Sequence, residues 1–409
     1  MKVGVFKFGG SSISNIGRIN HVANLIAQSP YEKKVVVVSA MGDTTDYLLR
    51  LAKRCSPLPD KRELDMLLAT GEQVSISLLA IKLKELGINA KAFTGPQLSI
   101  ATDGSHTEAR ILDIDKNKFL NILEDCDTVV AAGFQGIDEK GEITTLGRGG
   151  SDTTAVAIAC CLEADICEIY TDVDGVFTSD PNKVREVLLH EELSYEEALE
   201  LTRAGAQVVH PRAVDLACEY GIELRVRNTF NPGHQGTLIR RIDKMEKPGK
   251  VISIAVSDNE ACIRLSKLES DSSIFDSISQ VVDRYDLTVH SIAESVDKDA
   301  GVKELELYVG YVDKERLDQA VESLKNLTKA RECKTDVQLS KLSIIGRALT
   351  RSTLTKLLAV LKEANIPFKQ IEVSENRISC LIENIQSSIA STVVHSTFNE
   401  VADVRASVA

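Results

Sequence analysis

Tryptophan is absent from this 409-residue sequence and aromatic residues make up only 4% of it, so stacking platforms for single-stranded nucleic acid have little to be built from. Positive charge is in the minority. With 48 Lys and Arg against 60 Asp and Glu the formal charge is −12, and with no local basic patch this excludes a phosphate-backbone binder. No window approaches about 18 uninterrupted apolar residues, and the opening MKVGVFKFGGSS reads as a strand rather than a signal peptide. A soluble, cytoplasmic protein with no membrane partner is expected. The nine cysteines are odd in number and scattered, with no CxxC pair, and read as reduced core thiols. The seven histidines form no HxxxH or HxxEH pattern, so zinc catalysis has no support.

What is present is an ordinary globular balance, 43% apolar and 26% charged, in a chain long enough for about two or three domains. Up to residue 240, short β-rich runs alternate with helical patterns, which predicts an α/β domain with an open, mostly parallel sheet between helix layers. The candidate strands span 3–8, 34–40, 88–93, 128–134, 166–171 and 222–227, several apolar almost throughout, as strands buried on both faces should be. Helical patterns cover Ile16 to Gln28, Leu64 to Leu86, Asp152 to Leu162 and Tyr195 to Arg203. Residues 241–250, charged and carrying Pro248-Gly249, read as a linker.

Beyond the linker, residue n laid on residue n+79 pairs Ile263 with Leu342, Leu265 with Ile344, Val281 with Val360, Leu287 with Ile366 and Ile292 with Ile371. This is an internal repeat. Each copy reads strand, helix, strand, strand, helix, which predicts two small α+β modules over 251–336 and 337–409.

Three motifs can carry chemistry. In KFGGSS (7–12) a strand ends in a lysine followed by paired glycines, which lets backbone N–H groups approach phosphate oxygens while Lys7 brings charge; a tight turn with a surface lysine is the other reading. No GxxxxGK[ST] occurs. In TLGRGGSDTTA (145–155) three glycines precede an apolar helix; Arg148 can grip a carboxylate or phosphate bidentately, and Ser151 or Asp152 can cap the helix. In YTDVDGVFTSDPN (170–182) aspartates gather at a strand end, where open α/β sheets bind ligands, although the same residues also make a solvated turn. SAMGDTTD (39–46) and the pair Gly71-Glu72 gain weight only in company.

In this order, KFGGSS, VVVVSAMGDTTD, TGEQVS, GFQG, TLGRGGSDTTA, YTDVDGVFTSDPN and GAQVVHPRA resemble the amino acid kinase superfamily and, within it, the aspartokinases. The tandem modules resemble the ACT pair, of ferredoxin-like fold, that follows the catalytic domain in that family. The resemblance implies transfer of the ATP γ-phosphoryl group to the side-chain carboxylate of L-aspartate, the opening step toward lysine, threonine and methionine. Kinases of another acidic amino acid such as glutamate or N-acetylglutamate, and a weakly catalytic amino-acid-binding subunit, are the alternatives.

By the same resemblance Lys7 and Asp152 are catalytic, Lys7 stabilising the transferring phosphoryl and Asp152 orienting either Lys7 or the substrate amino group. Thr45, Glu72, Arg148, Gly149, Gly150 and Ser151 surround aspartate, with Glu72 facing its ammonium end. Lys7, Phe8, Gly9, Gly10, Ser11, Ser39, Thr171, Asp172, Phe177, Asp180, Asn182 and Lys183 hold ATP, and Mg²⁺ rides on the phosphates with no protein metal cage.

Departures from the family pattern are Gln207, where a lysine is common, and Asn182, where an arginine is common; Lys183 stands next in line to compensate. The effector loops ESDSSIF (269–275) and LTRSTL (349–354) lack the glycine that lets amides approach an amino-acid effector. A response to lysine or threonine is therefore expected to be altered or lost, while ACT pairing still implies a homodimer or larger assembly.

Overall fold

In a computed structural model of the chain, residues 2–206, 209–242, 250–268, 274–285, 287–297, 302–311 and 313–398 are described. Expectations placed on Gln207, the linker interior 243–249, the effector-loop residues 269–273 and the tail after 398 lie outside the described residues. The described residues fall into two compact units, one from 1–178, 188–203 and 207–245, the other from 179–187, 204–206 and 246–409.

The first unit holds strands β1 (Val3–Phe8), β2 (Lys33–Val38), β3 (Ala90–Phe93), β4 (Ile100–Thr102), β5 (Ile111–Ile114), β6 (Thr128–Ala132), β7 (Gln135–Ile137), β8 (Ile143–Thr145), β9 (Ile166–Thr171), β10 (Glu192–Ser194), β11 (Leu224–Asn228) and β12 (Thr237–Arg240). Its helices are α1 (Ile16–Gln28), α2 (Thr44–Cys55), α3 (Lys61–Leu68), α4 (Thr70–Glu85), α5 (Lys116–Asp125), α6 (Gly150–Leu162), α7 (Tyr195–Arg203) and α8 (Pro211–Tyr220). Eight strands form one sheet in the order β10-β12-β11-β9-β1-β2-β6-β3, parallel throughout except where β12 runs against β11. β5-β4-β7-β8 form a small second sheet.

Strand periodicity explains the layering. Alternation sends Phe6 and Phe8 of β1 into a core with Ile19 and Val22 of α1 and Ile76 and Leu79 of α4, and turns Lys7 to the opposite face, where α6 packs against β1, β2 and β9. β2, with Val35 through Val38 all buried, is the apolar run that a sheet covered on both faces requires. The single helix expected over 64–86 is two, α3 and α4, parted at Ala69. Among the described residues, 61–85 is also the one helical stretch long and apolar enough to cross a membrane, and half of its apolar window is buried inside the protein.

The second unit holds β13 (Lys250–Leu268), α9 (Ile274–Tyr285), β14 (Thr288–Asp297), β15 (Val302–Gly310), α10 (Lys314–Thr328), β16 (Glu332–Arg347), α11 (Arg351–Glu363), β17 (Phe368–Val373), β18 (Arg377–Glu383) and α12 (Ser387–Phe398). Its antiparallel sheet runs β14-β15-β13-β16-β18-β17. The repeat shows in the packing: Ile263, Leu265, Val281 and Leu287 share one core, while their counterparts Leu342, Ile344, Val360 and Ile366 belong to the other.

The sequence boundaries gave 251–336 to the first module, yet Val251 and Ile254 pack in the second core. The reason is in β13, whose register against β16 shifts between Ser257 and Glu260, so that one long strand serves both cores. At the start of the second module Thr350 and Thr353 form a capping box around the first turn of α11.

Candidate active site

Chain direction places the site. From β1 the next strand in the sheet is β2 on one side, while β9 and then β11 lie on the other, so strand order reverses between β1 and β9. Ligands of open α/β sheets bind beyond the carboxyl ends of the strands at such a reversal. Lys7 and Phe8 end β1 there, followed by Gly9 and Gly10. A Cβ on Gly10 would lie 2.8 Å from the Gly42 carbonyl and 2.9 Å from that of Ala40, so only glycine permits this approach of two strand ends.

α6 delivers the counterpart from the other face. Neither Ser151 nor Asp152 caps it, as the sequence had suggested; Gly149 occupies the N-cap at φ +66°, where an added Cβ would fall 2.0–2.4 Å from atoms of His210. The close approach of His210 and the left-handed turn together demand glycine, and Ser151 and Asp152 move inward to the buried first turn. No side chain caps this terminus, which leaves a positive dipole end beside the glycine loop. Asp152 Oδ1 lies 2.6 Å from Lys7 Nζ, and its Oδ2 accepts from His210 N at 3.2 Å. Lys7, one of the two partners left open for Asp152, is thus paired with it.

A second chain of contacts runs from α6 to α4. Ser39 Oγ donates to Ser151 Oγ at 2.9 Å, and the next residue, Ala40, donates its N–H to Glu72 Oε1 at 2.9 Å. Glu72 is 2% exposed, its Oε2 has no hydrogen-bond partner, and burial pushes its carboxyl up to about 8. Thr45, half-buried, is the second residue of α2, close by in the chain. Arg148 lies exposed on the turn Gly147–Gly149, and no hydrogen bond or ion pair to the described residues engages it.

The residues assigned to ATP are more dispersed. Phe8 is buried and stacked on Tyr170, ring centroids 4.6 Å apart, and its carbonyl accepts from Ser39 N. Ser11 is exposed and its carbonyl accepts from Arg18 Nη1. Thr171 Oγ1 donates to Asp172 Oδ1 at 3.2 Å, and half-buried Phe177 bridges to Leu189. Asp180 accepts from Asn182 N at 2.8 Å, the Asx turn the sequence left open.

Asp180, Asn182 and Lys183 belong to the second unit, where Lys183 Nζ pairs with Asp258 Oδ2 at 2.5 Å and Ser340 Oγ donates to Asp258 Oδ1. Lys183, which the resemblance assigns to the nucleotide, is thus paired with a carboxylate of its own unit.

Three residues around the site escaped the sequence reading. His210 and Arg212 stand in GAQVVHPRA, whose Pro211 is a helix-start signal as the first residue of α8. Asp65, fully buried in α3, accepts from Thr145 Oγ1 at 2.5 Å, from Thr107 N at 3.0 Å and meets His106 Nδ1 at 2.8 Å. No sequence pattern marks it. Among the described residues no cluster of His, Cys, Asp and Glu is suited to hold a metal ion.

A lysine, a close-approach glycine pair and an uncapped helix start make a site for phosphoryl charge, and Arg148 with the buried Glu72 carboxyl offers a cation and an ammonium acceptor to a small zwitterion. Comparison with known proteins agrees with this class. The profile of the amino acid kinase family matches residues 2–228. An aspartokinase of Bacillus sp. (strain MGA3) is 42% identical over 405 residues, 96% of each chain. Aspartokinase 2 of Bacillus subtilis (strain 168) is 40% identical, covering 96% of this chain and 97% of that one. The crystal structure of E. coli aspartokinase III in complex with aspartate and ADP superposes with a TM-score of 0.79 at 22% identity, covering 97% of this chain and 99% of that one. The chain belongs to the amino acid kinase family and, within it, to the aspartokinases.

Proposed function

We propose that this chain transfers the γ-phosphoryl group of ATP to the side-chain carboxylate of L-aspartate, giving 4-phospho-L-aspartate and ADP. The single observation that carries the reading is the Lys7–Asp152 pair, 2.6 Å long, at the uncapped start of α6 beside Gly9 and Gly10. An ionised carboxylate is already a nucleophile at neutral pH, so no general base is required. The protein's work is positioning and charge stabilisation.

In this reading Asp152 holds Lys7 aimed at the transferring phosphoryl, and the amides after Gly9 and the α6 terminus meet the other phosphate oxygens. Mg²⁺ arrives on the nucleotide as part of the co-substrate. Arg148 grips a substrate carboxylate, with Thr45 and Ser151 alongside, and the unpartnered Glu72 Oε2 takes the ammonium group. Thr171, Asp172 and Phe177 border the nucleotide. Lys183 is paired with Asp258 as Lys7 is with Asp152, and the helix terminus adds to the phosphate neutralisation. The second unit, whose repeat resembles the ACT pair, is the regulatory and pairing element of the reading.

The test is Lys7→Met, assayed by aspartate-dependent ADP release. kcat is expected to fall about 10²–10³-fold, the usual effect of removing one preorganised charge from a transition state. A variant within threefold of wild type removes Lys7 from catalysis and the reading with it.

A further inference from the structure

Arg148 sits between Gly147 at φ +74° and Gly149 at φ +66°, two left-handed positions that leave the turn to be fixed by its neighbours. Those neighbours come from the start of α8. His210 packs on Gly149 at the far end of the turn. Arg212, two residues further, reaches the near end: its Nη1 donates to the Leu146 carbonyl at 2.7 Å and its Nη2 to the Ala109 carbonyl at 2.9 Å. Leu146 is fully buried and its own N–H is held by the Phe134 carbonyl at 2.9 Å, while Ala109 N donates to the Thr145 carbonyl at 2.9 Å. Arg212 thus ties the last fixed residue before the turn to the neighbouring loop, and no ion pair with a described carboxylate competes for it. A guanidinium placed in a half-buried position for two carbonyls, rather than for a carboxylate, serves geometry more than charge.

We propose that Arg212 is a positioning residue for aspartate recognition, clamping the turn so that the otherwise unengaged Arg148 meets the substrate carboxylate. This rests on the reading of Arg148 as the carboxylate grip. Arg212 touches neither substrate nor phosphate, and its effect should appear in aspartate KM and not in MgATP KM.

The experiment is a double-mutant cycle on the full chain with Arg148→Gln, Arg212→Met and the two combined, plus Arg212→Lys, measuring kcat, both KM values and thermal melting. Expected are an aspartate KM raised about tenfold or more by Arg212→Met, a MgATP KM within twofold, and little further rise when Arg148→Gln is already present. Arg212→Lys should not rescue, because a single ammonium nitrogen cannot occupy the positions of two separate guanidinium nitrogens.

Additive losses, equal effects on both KM values, or full rescue by lysine would overturn the clamp. An Arg148→Gln protein with unchanged aspartate KM would instead show that the grip itself is misassigned, and the clamp falls with it. If Arg212→Met does not fold, Arg212→Gln, which keeps one donor, takes its place in the cycle.

Discussion

Glu72 offers the sharpest quantitative consequence of the site. It is 2% exposed, only Oε1 is hydrogen-bonded, and burial raises its carboxyl to about 8. At pH 7 about 0.9 of the free protein then carries a proton on this residue. An ammonium group docked on Oε2 favours the anion, so aspartate binding must expel that proton. Calorimetric titration of aspartate at pH 7 in two buffers of different ionisation enthalpy should report about 0.9 proton released per ligand, and affinity should rise about tenfold between pH 6 and 7.

The same shift acts on folding. The folded state binds a proton that the unfolded state has lost, so the contribution is full below the ordinary glutamate range and disappears as pH rises through about 8. Between pH 6 and 8 the loss is roughly 2 kcal/mol, read as the difference between wild type and Glu72→Gln in denaturant titrations. Glu72→Gln should release no proton and lose this slope. Equal proton release from both proteins, or equal slopes, refutes the role given to Glu72.

Two further perturbations follow from packing. Gly149→Ala combines a left-handed conformation with a Cβ 2.0 Å from His210, and should cost about 2–5 kcal/mol while lowering kcat through the displaced His210–Asp152 contact; unchanged urea denaturation of the α/β domain would contradict it. Asp65→Ala strips the acceptor from Thr145 Oγ1 and Thr107 N and should destabilise the same domain by about 3 kcal/mol, with a loss under 1 kcal/mol as the contrary result.

Much of the fold is legible where periodicity is strong. α1 and α7 begin and end where the apolar spacing places them, and the buried runs of β1, β2 and β9 are plain from composition. The small sheet is not legible, because IAT, QGI and ITT are too short to carry an alternation. α8 is absent from the helical patterns read in the sequence, although Pro211 stands at its first position, where a missing N–H costs nothing. Nor is the tertiary contact just past Ala69 legible, where Gly71 packs against Ala40, with room for no Cβ, and Glu72 meets the Ala40 N–H.

For the site, residue types were legible and partnerships were not. Lys7, Arg148 and Asp152 stand out as chemistry in glycine-rich settings, but that Asp152 faces Lys7 follows from the parity of β1 and the placement of α6 across the sheet. Lys183 looked available from its place in the loop; the Asp258 carboxylate that neutralises it lies far along the chain.

The central claim is the acceptor. Trapping acyl phosphate with hydroxylamine in the presence of MgATP, with L-aspartate, L-glutamate and N-acetyl-L-glutamate compared at equal concentration, tests it most directly. Hydroxamate from aspartate at least about 100-fold above the other two is the expected result, since a pocket built for charges at fixed spacing leaves polar groups unpaired around a longer or acylated acceptor. Product from glutamate or N-acetylglutamate at the aspartate rate, or none from any acceptor in folded protein that binds ATP, would contradict it.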